Sequence, residues 1–266
     1  MDYIAKIREN SPFIFNITNE VATNFAANGL IAIGASPAMS HTPREAEEMA
    51  RHADAVVLNL GTLTEDRAEA MLKAGKTAND AGVPVILDPI AAGATTFRTE
   101  VIAEILSTVK LAVIKANAGE IAVLGNVLKE TKGPDSPIEK NDPNVAAAVA
   151  EKYKTIVIAT GKTDVISDGS RRTLCDNGHP MLQNITASGC LLTSIVGAFA
   201  SVTQDMYEAA VWATASYGIA AELAMKTAEG PGTFIPALLD QLYALDQEKV
   251  KGYQRIQEME EERKVF

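Results

Sequence analysis

TEDRAEAMLKAGKTANDAG, residues 64–82, runs directly into VPVILDP, residues 83–89. The first segment reads as a helix that stops at Gly82. The second is an unbroken apolar strand closed by Asp88-Pro89. A strand without polar alternation has to be covered on both faces, which is the situation of a parallel sheet between two layers of helices. The pattern continues outward in both directions. PFIFNI (12–17), ADAVVLNL (53–60), LAVIKAN (111–117) and TIVIAT (155–160) read as further strands, with helices at 19–32 and 94–109. VISD and RRTLCD, joined by Gly169-Ser170, read as a hairpin that adds antiparallel strands at one edge. Beyond it the chain is helical, over 189–203, 205–228 and 233–245. The fold class is therefore α/β, with a mostly parallel central sheet and helices on both faces. No repeat or linker divides the chain, so one domain is expected over 1–266, with a charged C-terminal tail over 246–266 that reads as a solvated helix or a frayed end, and a proline-rich surface loop at 131–144.

The composition agrees. Of 266 residues, 47% are hydrophobic and only 5% aromatic, which suits an α/β domain with a full core. A formal charge of −10 without a basic stripe argues against a nucleic-acid partner. AAVWATASYGIAAELAM (209–225) is too short and too polar for a membrane span and reads as a buried helix. The first ten residues have no apolar leader pattern. Two cysteines, Cys175 and Cys190, make no disulfide framework and suit a reducing compartment. Together these point to the cytoplasm.

Several motifs are excluded. GKT occurs at 75–77 and 161–163, but Ala70 and Ile156 stand where a P-loop needs its first glycine, and GxGxxG is absent. His41, His52 and His179 lack zinc-ligand spacing and read as surface or turn residues.

What remains is NITASGCLLTSIVGAF, 184–199, where Gly189 and Cys190 open a helix whose apolar positions are Leu191, Leu192, Ile195, Val196 and Phe199. A helix N-terminus offers free N–H groups to an anion, and glycine lets the anion come close. A cysteine in that first turn is expected to have a lowered pKa. The alternative is that both are small residues packing a helix start. Other strand ends favour an anion site. Asp88 closes one strand, Lys115 and Glu120 follow the next in IKANAGE, and Thr160-Gly161 end another. Ligands of parallel sheets sit beyond those carboxyl ends. Two carboxylates there could hold Mg2+, directly or through water. Singly, Asp88 could be a cap, Glu120 a helix-start acid and Lys115 a surface charge.

ITNEVATNFAANGLIAIGASPAMS, LNLGTLTEDR, VILDPIAAGATTFRT, VIKANAGEI, VIATGKTDVISDG and ITASGCLLTSIVGAF, in this order, cover most of residues 12–200. With these stretches the chain resembles the hydroxyethylthiazole kinases, thiamine-salvage enzymes of the ribokinase-like superfamily. The resemblance implies a ribokinase-like three-layer sandwich and ATP-dependent phosphorylation of 4-methyl-5-(2-hydroxyethyl)thiazole, with Mg2+. It implies that Cys190 sits where the catalytic base belongs and that Gly189 begins the anion hole. It places Met39, Asn19, Gly61 and Ala187 around the thiazole alcohol, Lys115 and Thr160 at ATP, and Asp88 and Glu120 at the Mg2+ and phosphate positions. It also implies a homotrimer with active sites between subunits. Met39 has a physical case of its own: it reads as a loop residue in GASPAMSHTP, ahead of a capping box from Thr42 to Glu45, and a polarizable thioether suits a flat sulfur heterocycle. Two residues depart from the family pattern. Lys115 stands where arginine is frequent and lacks its bidentate fork, and Ala187 stands where glycine is frequent. The competing readings are a kinase for another vitamin-precursor alcohol (a hydroxymethylpyrimidine or vitamin B6), an ATP-dependent lyase on the same fold, and a nucleotide-binding protein without turnover.

Overall fold

A computed structural model describes residues 1–127 and 141–259. In chain order the elements are α1 (Tyr3–Asn10), β1 (Phe13–Ile17), α2 (Thr23–Ile33), β2 (Ser36–Met39), α3 (Ala46–His52), β3 (Ala55–Asn59) and α4 (Glu65–Asp80). Then come β4 (Val85–Asp88), α5 (Thr96–Thr108), β5 (Val113–Asn117), α6 (Ala118–Leu124), α7 (Pro143–Tyr153) and β6 (Ile156–Thr160). The hairpin β7 (Asp164–Ser167) and β8 (Arg172–Cys175) follows, with a 3-10 turn at Pro180–Asn184. The chain closes with α8 (Ser188–Ala200), α9 (Met206–Ala224), α10 (Pro231–Ala244), α11 (Gln247–Tyr253) and β9 (Ile256–Glu258).

The nine strands form one sheet in the order β2-β1-β3-β4-β5-β6-β7-β8-β9. Neighbours from β2 to β6 are parallel, and β7, β8 and β9 add antiparallel pairings at the far edge. The expected α/β architecture with helices on both faces is thus the observed one. The alternation of side chains along each strand divides the core in two. Ile14, Val57, Ile86, Val113 and Ile158 pack with α8, α9 and α10, whereas Phe15, Leu58, Leu87, Ile114 and Val157 pack with α4, α5 and α7.

Helix starts follow from local chemistry. Thr64, Thr95, Asp142 and Asp205 cap α4, α5, α7 and α9 by accepting from first-turn N–H groups. The helix that matters most for the site is α8, in which every residue from Cys190 to Ala200 is buried. Its large apolar side chains, Ile195 and Phe199 among them, each contribute roughly 1.5–3 kcal/mol by leaving water. Gly197 lets the helix lie close on the sheet, since a β-carbon there would come within 3.1 Å of Val57 Cγ2 and 3.3 Å of Ile14 Cγ2. This approach fixes the N-terminus of α8 above the carboxyl ends of β4 and β5.

Four expectations are corrected. Met39 is not in a loop: it ends β2, a four-residue edge strand paired in parallel with β1, with Asn16 opposite Met39. Pro37 and the shortness of the segment conceal a strand whose existence depends on backbone pairing, and proline is tolerated at a sheet edge. The Thr42–Glu45 capping box does not form. Glu45 precedes α3 without capping it through its side chain, and its carboxylate instead accepts from Ser40 Oγ. The helix expected from 19 begins at Thr23, because Asn19 closes a turn in which its Oδ1 accepts from the Ala22 amide. The segment from 246 is helical over α11 but neither solvated throughout nor frayed over its described part: Val250 on α11 is fully buried, and β9 pairs with β8. Most of the loop expected at 131–144 lies outside the described residues, and α7 begins within it at Pro143. The apolar run at 209–225 is core helix α9, and among the described residues no helix is long and apolar enough to cross a membrane.

Candidate active site

The site is built by the same alternation that builds the core. On β1, β3, β4 and β5, the residue two beyond Ile14, Val57, Ile86 and Val113 is Asn16, Asn59, Asp88 and Lys115. Each polar side chain lies on the α8 face, at or near the carboxyl end of its strand. Where apolar partners run out, the first turns of α8 supply polar ones.

Asp88 is fully buried. Its Oδ2 accepts from Thr193 Oγ1 at 2.7 Å, Asn59 Nδ2 at 3.0 Å and Lys115 Nζ at 3.2 Å. Burial works against the Lys115 ammonium, but the Asp88 charge and the neighbouring Cys190 and Glu120 hold its pKa above the ordinary value. The same ammonium fills the space over Gly189, 3.0 Å from where a β-carbon would stand.

Cys190 lies in the first turn of α8 and is buried. Asn19 Nδ2 donates to its Sγ at 3.3 Å and to Asn59 Oδ1 at 2.9 Å. Asn59 Oδ1 also accepts from the Gly61 amide at 3.1 Å. Gly61 has no room for a side chain, since a β-carbon would meet Asn19 Cβ at 2.7 Å. A lowered thiol pKa is the expectation from the helix start, and here it is corrected. Burial pushes the Cys190 thiol up and the Asp88 charge adds to it, against the pull of Lys115 and of hydrogen bonds from Asn19 and Asn59.

Glu120 is a helix-start acid that also lies within electrostatic reach of Asp88 and Lys115. Its Oε2 accepts from the Asn117 amide at 2.9 Å, and Asn117 Oδ1 accepts from the Glu120 amide at 2.9 Å, closing a capping box. Its Oε1 accepts from the Ala91 amide at 2.8 Å. Burial and the Asp88 charge push its pKa up to about 7, against Lys115 and these amides. Thr160 ends β6 in register with Asn117 and donates to the Ala116 carbonyl at 3.3 Å. Ala187 precedes α8 with φ +64°, in the left-handed region. The turn that carries it is pinned by Ser188, whose hydroxyl donates to the Leu182 carbonyl at 2.7 Å and whose carbonyl accepts from Tyr217 at 2.9 Å. Met39, Asn16, Thr18, Thr23 and Arg67 line a cavity of about 300 Å³ at the ends of β1 and β2. Asn16 Oδ1 accepts from Ser194 Oγ on α8 at 2.8 Å, which ties the cavity floor to the Cys190 helix.

An Mg2+ ion can be tested against one atom here. Asp88 Oδ1 is buried without a hydrogen-bond partner, and a buried carboxylate oxygen calls for a donor or a cation. Glu120 has both oxygens on backbone amides and fits such an ion through water. Among the described residues no group of three or more His, Cys, Asp or Glu could hold a metal by itself. The donor set therefore fits an ion that keeps several waters and shares a phosphate, as Mg2+ does.

A family model described as the hydroxyethylthiazole kinase family matches residues 4–248. The chain belongs to the hydroxyethylthiazole kinase family. It is 68% identical to hydroxyethylthiazole kinase 2 of Oceanobacillus iheyensis over 259 residues, which is 97% of this chain and 100% of that one. It is 40% identical to a solved hydroxyethylthiazole kinase structure from Pyrococcus horikoshii OT3, covering 97% and 98% of the two chains with a TM-score of 0.88. The pyridoxal kinase of Staphylococcus aureus in complex with AMP-PCP and pyridoxal is only 12% identical. It covers 93% and 98% of the two chains with a TM-score of 0.61, and so shares the fold. The chain is thus a phosphotransferase of this family, with a ribokinase-like fold.

In this chain, Asn19, Gly61, Asp88, Lys115, Gly189 and Cys190 form one connected cluster, with Glu120 within electrostatic reach of Asp88 and Lys115. Met39 lies apart from it in the cavity wall, and Thr160 lies at the β6 end. Sequence reasoning missed Asn59 and Thr193. Asn59 carried a usable signal: it is the polar end of an apolar strand, in register with Asp88. Thr193 carried a weaker one, a hydroxyl one turn after Gly189 inside an apolar helix.

Proposed function

We propose that the chain transfers the γ-phosphoryl group of ATP to the hydroxyl of 4-methyl-5-(2-hydroxyethyl)thiazole in thiamine salvage. The observation that carries this reading is the meeting of Asp88, Lys115 and the Gly189–Cys190 helix start beside the cavity that Met39 lines. The thiazole ring is held against Met39, near Asn19, Gly61 and Ala187, with its hydroxyl toward Cys190. ATP is assigned to the strand ends at Lys115 and Thr160. Asp88 and, through water, Glu120 would hold Mg2+, which when bound offsets negative charge on the phosphates and polarises them.

The hydroxyl oxygen bonds to the γ-phosphorus as the bond to the bridging oxygen of ADP breaks. The N–H groups that open α8 and the Lys115 ammonium stabilise charge on the group in transit. Cys190 Sγ takes the hydroxyl proton. The accepting species is the thiolate, which Lys115 and Asn19 favour against burial and the Asp88 charge and which becomes the thiol on taking the proton. In a loose transition state the nucleophile needs little activation, so a small thiolate fraction is adequate. The homotrimer with sites between subunits and a cytoplasmic location belong to the same proposal. The exposed apolar Val21, next to the lining residue Glu20, supports the reading that a partner subunit covers this side of the site.

The test is product identification by mass spectrometry after incubation with ATP, Mg2+ and a panel of hydroxyethylthiazole, hydroxymethylpyrimidine and pyridoxal. Thiazole phosphate as the dominant product is expected. A phosphate on another alcohol would overturn the substrate assignment, and release of free phosphate alone would favour a lyase.

A further inference from the structure

We infer that Arg67 is a positioning residue for the alcohol substrate, locking together the two loops that carry Asn19 and Gly61. Arg67 lies in the first turn of α4, and its side chain is only 3% exposed. One guanidinium nitrogen donates to the carbonyl and, at 2.6 Å, to the hydroxyl of Thr62, in the loop after β3. The other donates to Glu20 Oε1 at 2.9 Å, in the loop after β1. Glu20 follows Asn19 and Thr62 follows Gly61, and Asn19 and Gly61 are packed against each other. Arg67 and Glu20 also line the cavity that Met39 lines.

The fold itself gains little from this arrangement. A cation in the first turn of a helix opposes the helix dipole. Arg67 Nε is buried without a hydrogen-bond partner, and its ion-pair partner Glu20 is 76% exposed. Thr62 sits in the left-handed region with φ +43°. A buried charge with one exposed partner and one orphaned donor is commonly no more stable than an apolar side chain of similar shape. Three local costs concentrated on two substrate-bearing loops point to geometry as what Arg67 provides. Glu20 and Thr62 are both exposed, so water can replace Arg67 as their partner when it is removed. Stability and substrate positioning can therefore be separated.

The inference rests on the assignment of the Met39 cavity to the alcohol. The experiment compares wild type, Arg67→Met, Arg67→Lys and Glu20→Gln, measuring kcat, KM for the thiazole alcohol, KM for ATP, and Tm. Arg67→Met is expected to keep or raise Tm while raising KM for the alcohol by about tenfold, with KM for ATP within about twofold. Arg67→Lys should recover part of that loss through Glu20. Glu20→Gln should raise KM for the alcohol by a few-fold at unchanged Tm. If Arg67→Met lowers Tm and raises both KM values together, or if Glu20→Gln leaves the alcohol KM unchanged, the inference is wrong. If wild type phosphorylates a different alcohol, the substrate assignment fails instead, and the same comparison is read on that alcohol.

Discussion

Lys115 Nζ occupies the space beside Gly189, 3.0 Å from the point where a β-carbon on that glycine would stand. The strand-borne cation and the helix-borne amides thus converge on one place, and they converge only because residue 189 has no side chain. Gly189→Ala should displace the ammonium from its 3.2 Å contact with Asp88. The expected result is a fall in kcat of about tenfold or more, with KM for the thiazole alcohol less affected. Steady-state kinetics on the folded variant checks this.

Thr193 gives Asp88 Oδ2 its shortest hydrogen bond, 2.7 Å, and leaves Oδ1 free. Thr193→Val preserves shape but removes that donor from a buried carboxylate. A loss of roughly 1.5–3 kcal/mol of stability is expected in denaturant titration, because a hydrogen bond to a charged group is at stake. The Mg2+ concentration for half-maximal activity should rise, and Thr193→Ser should restore it.

The pH dependence of stability carries a signature of Glu120. Its pKa in the folded chain is about 7, above the ordinary 4.5. Between these values the folded state binds more protons than the unfolded one, so the Glu120 contribution to stability falls as pH rises through this window. Integrated, the loss is roughly 3 kcal/mol. Glu120→Gln does not titrate, so its stability relative to wild type should improve steadily from about pH 4.5 to pH 7 and then level off. Parallel melts of both proteins across that range measure the difference, and Asp164, also raised to about 7 by burial, cancels in the comparison.

Ala187 holds a φ of +64° at the mouth of α8. An L-residue with a β-carbon is strained there by roughly 1–2 kcal/mol, and glycine is not. Ala187→Gly should stabilise the protein by about 1 kcal/mol, or about 2–4 °C in Tm for a chain of this size. Differential scanning calorimetry checks the shift, and a changed KM for the alcohol would place this turn at the substrate.

The sequence by itself determined the layers and most of the strand ends. Unbroken apolar runs such as VPVILDP have only one physical solution, a parallel sheet covered on both faces, and that solution puts Asp88, Lys115 and Thr160 on one edge. It also determined that Gly189 and Cys190 open a helix, because the apolar spacing after them is helical. What only the tertiary structure decided was everything that depends on partners distant in the chain. β2 is a strand only because β1 offers it a ladder, and residues 246–258 are ordered because α11 buries Val250 and β9 finds β8. Asn59 and Thr193 joined the polar cluster around Asp88 because register and helix approach brought them there. The Cys190 thiol went up rather than down because burial beside a carboxylate outweighed the local field of a helix start. Local pattern fixes which face of an element is apolar, but the chemistry of a buried group depends on neighbours that only packing selects.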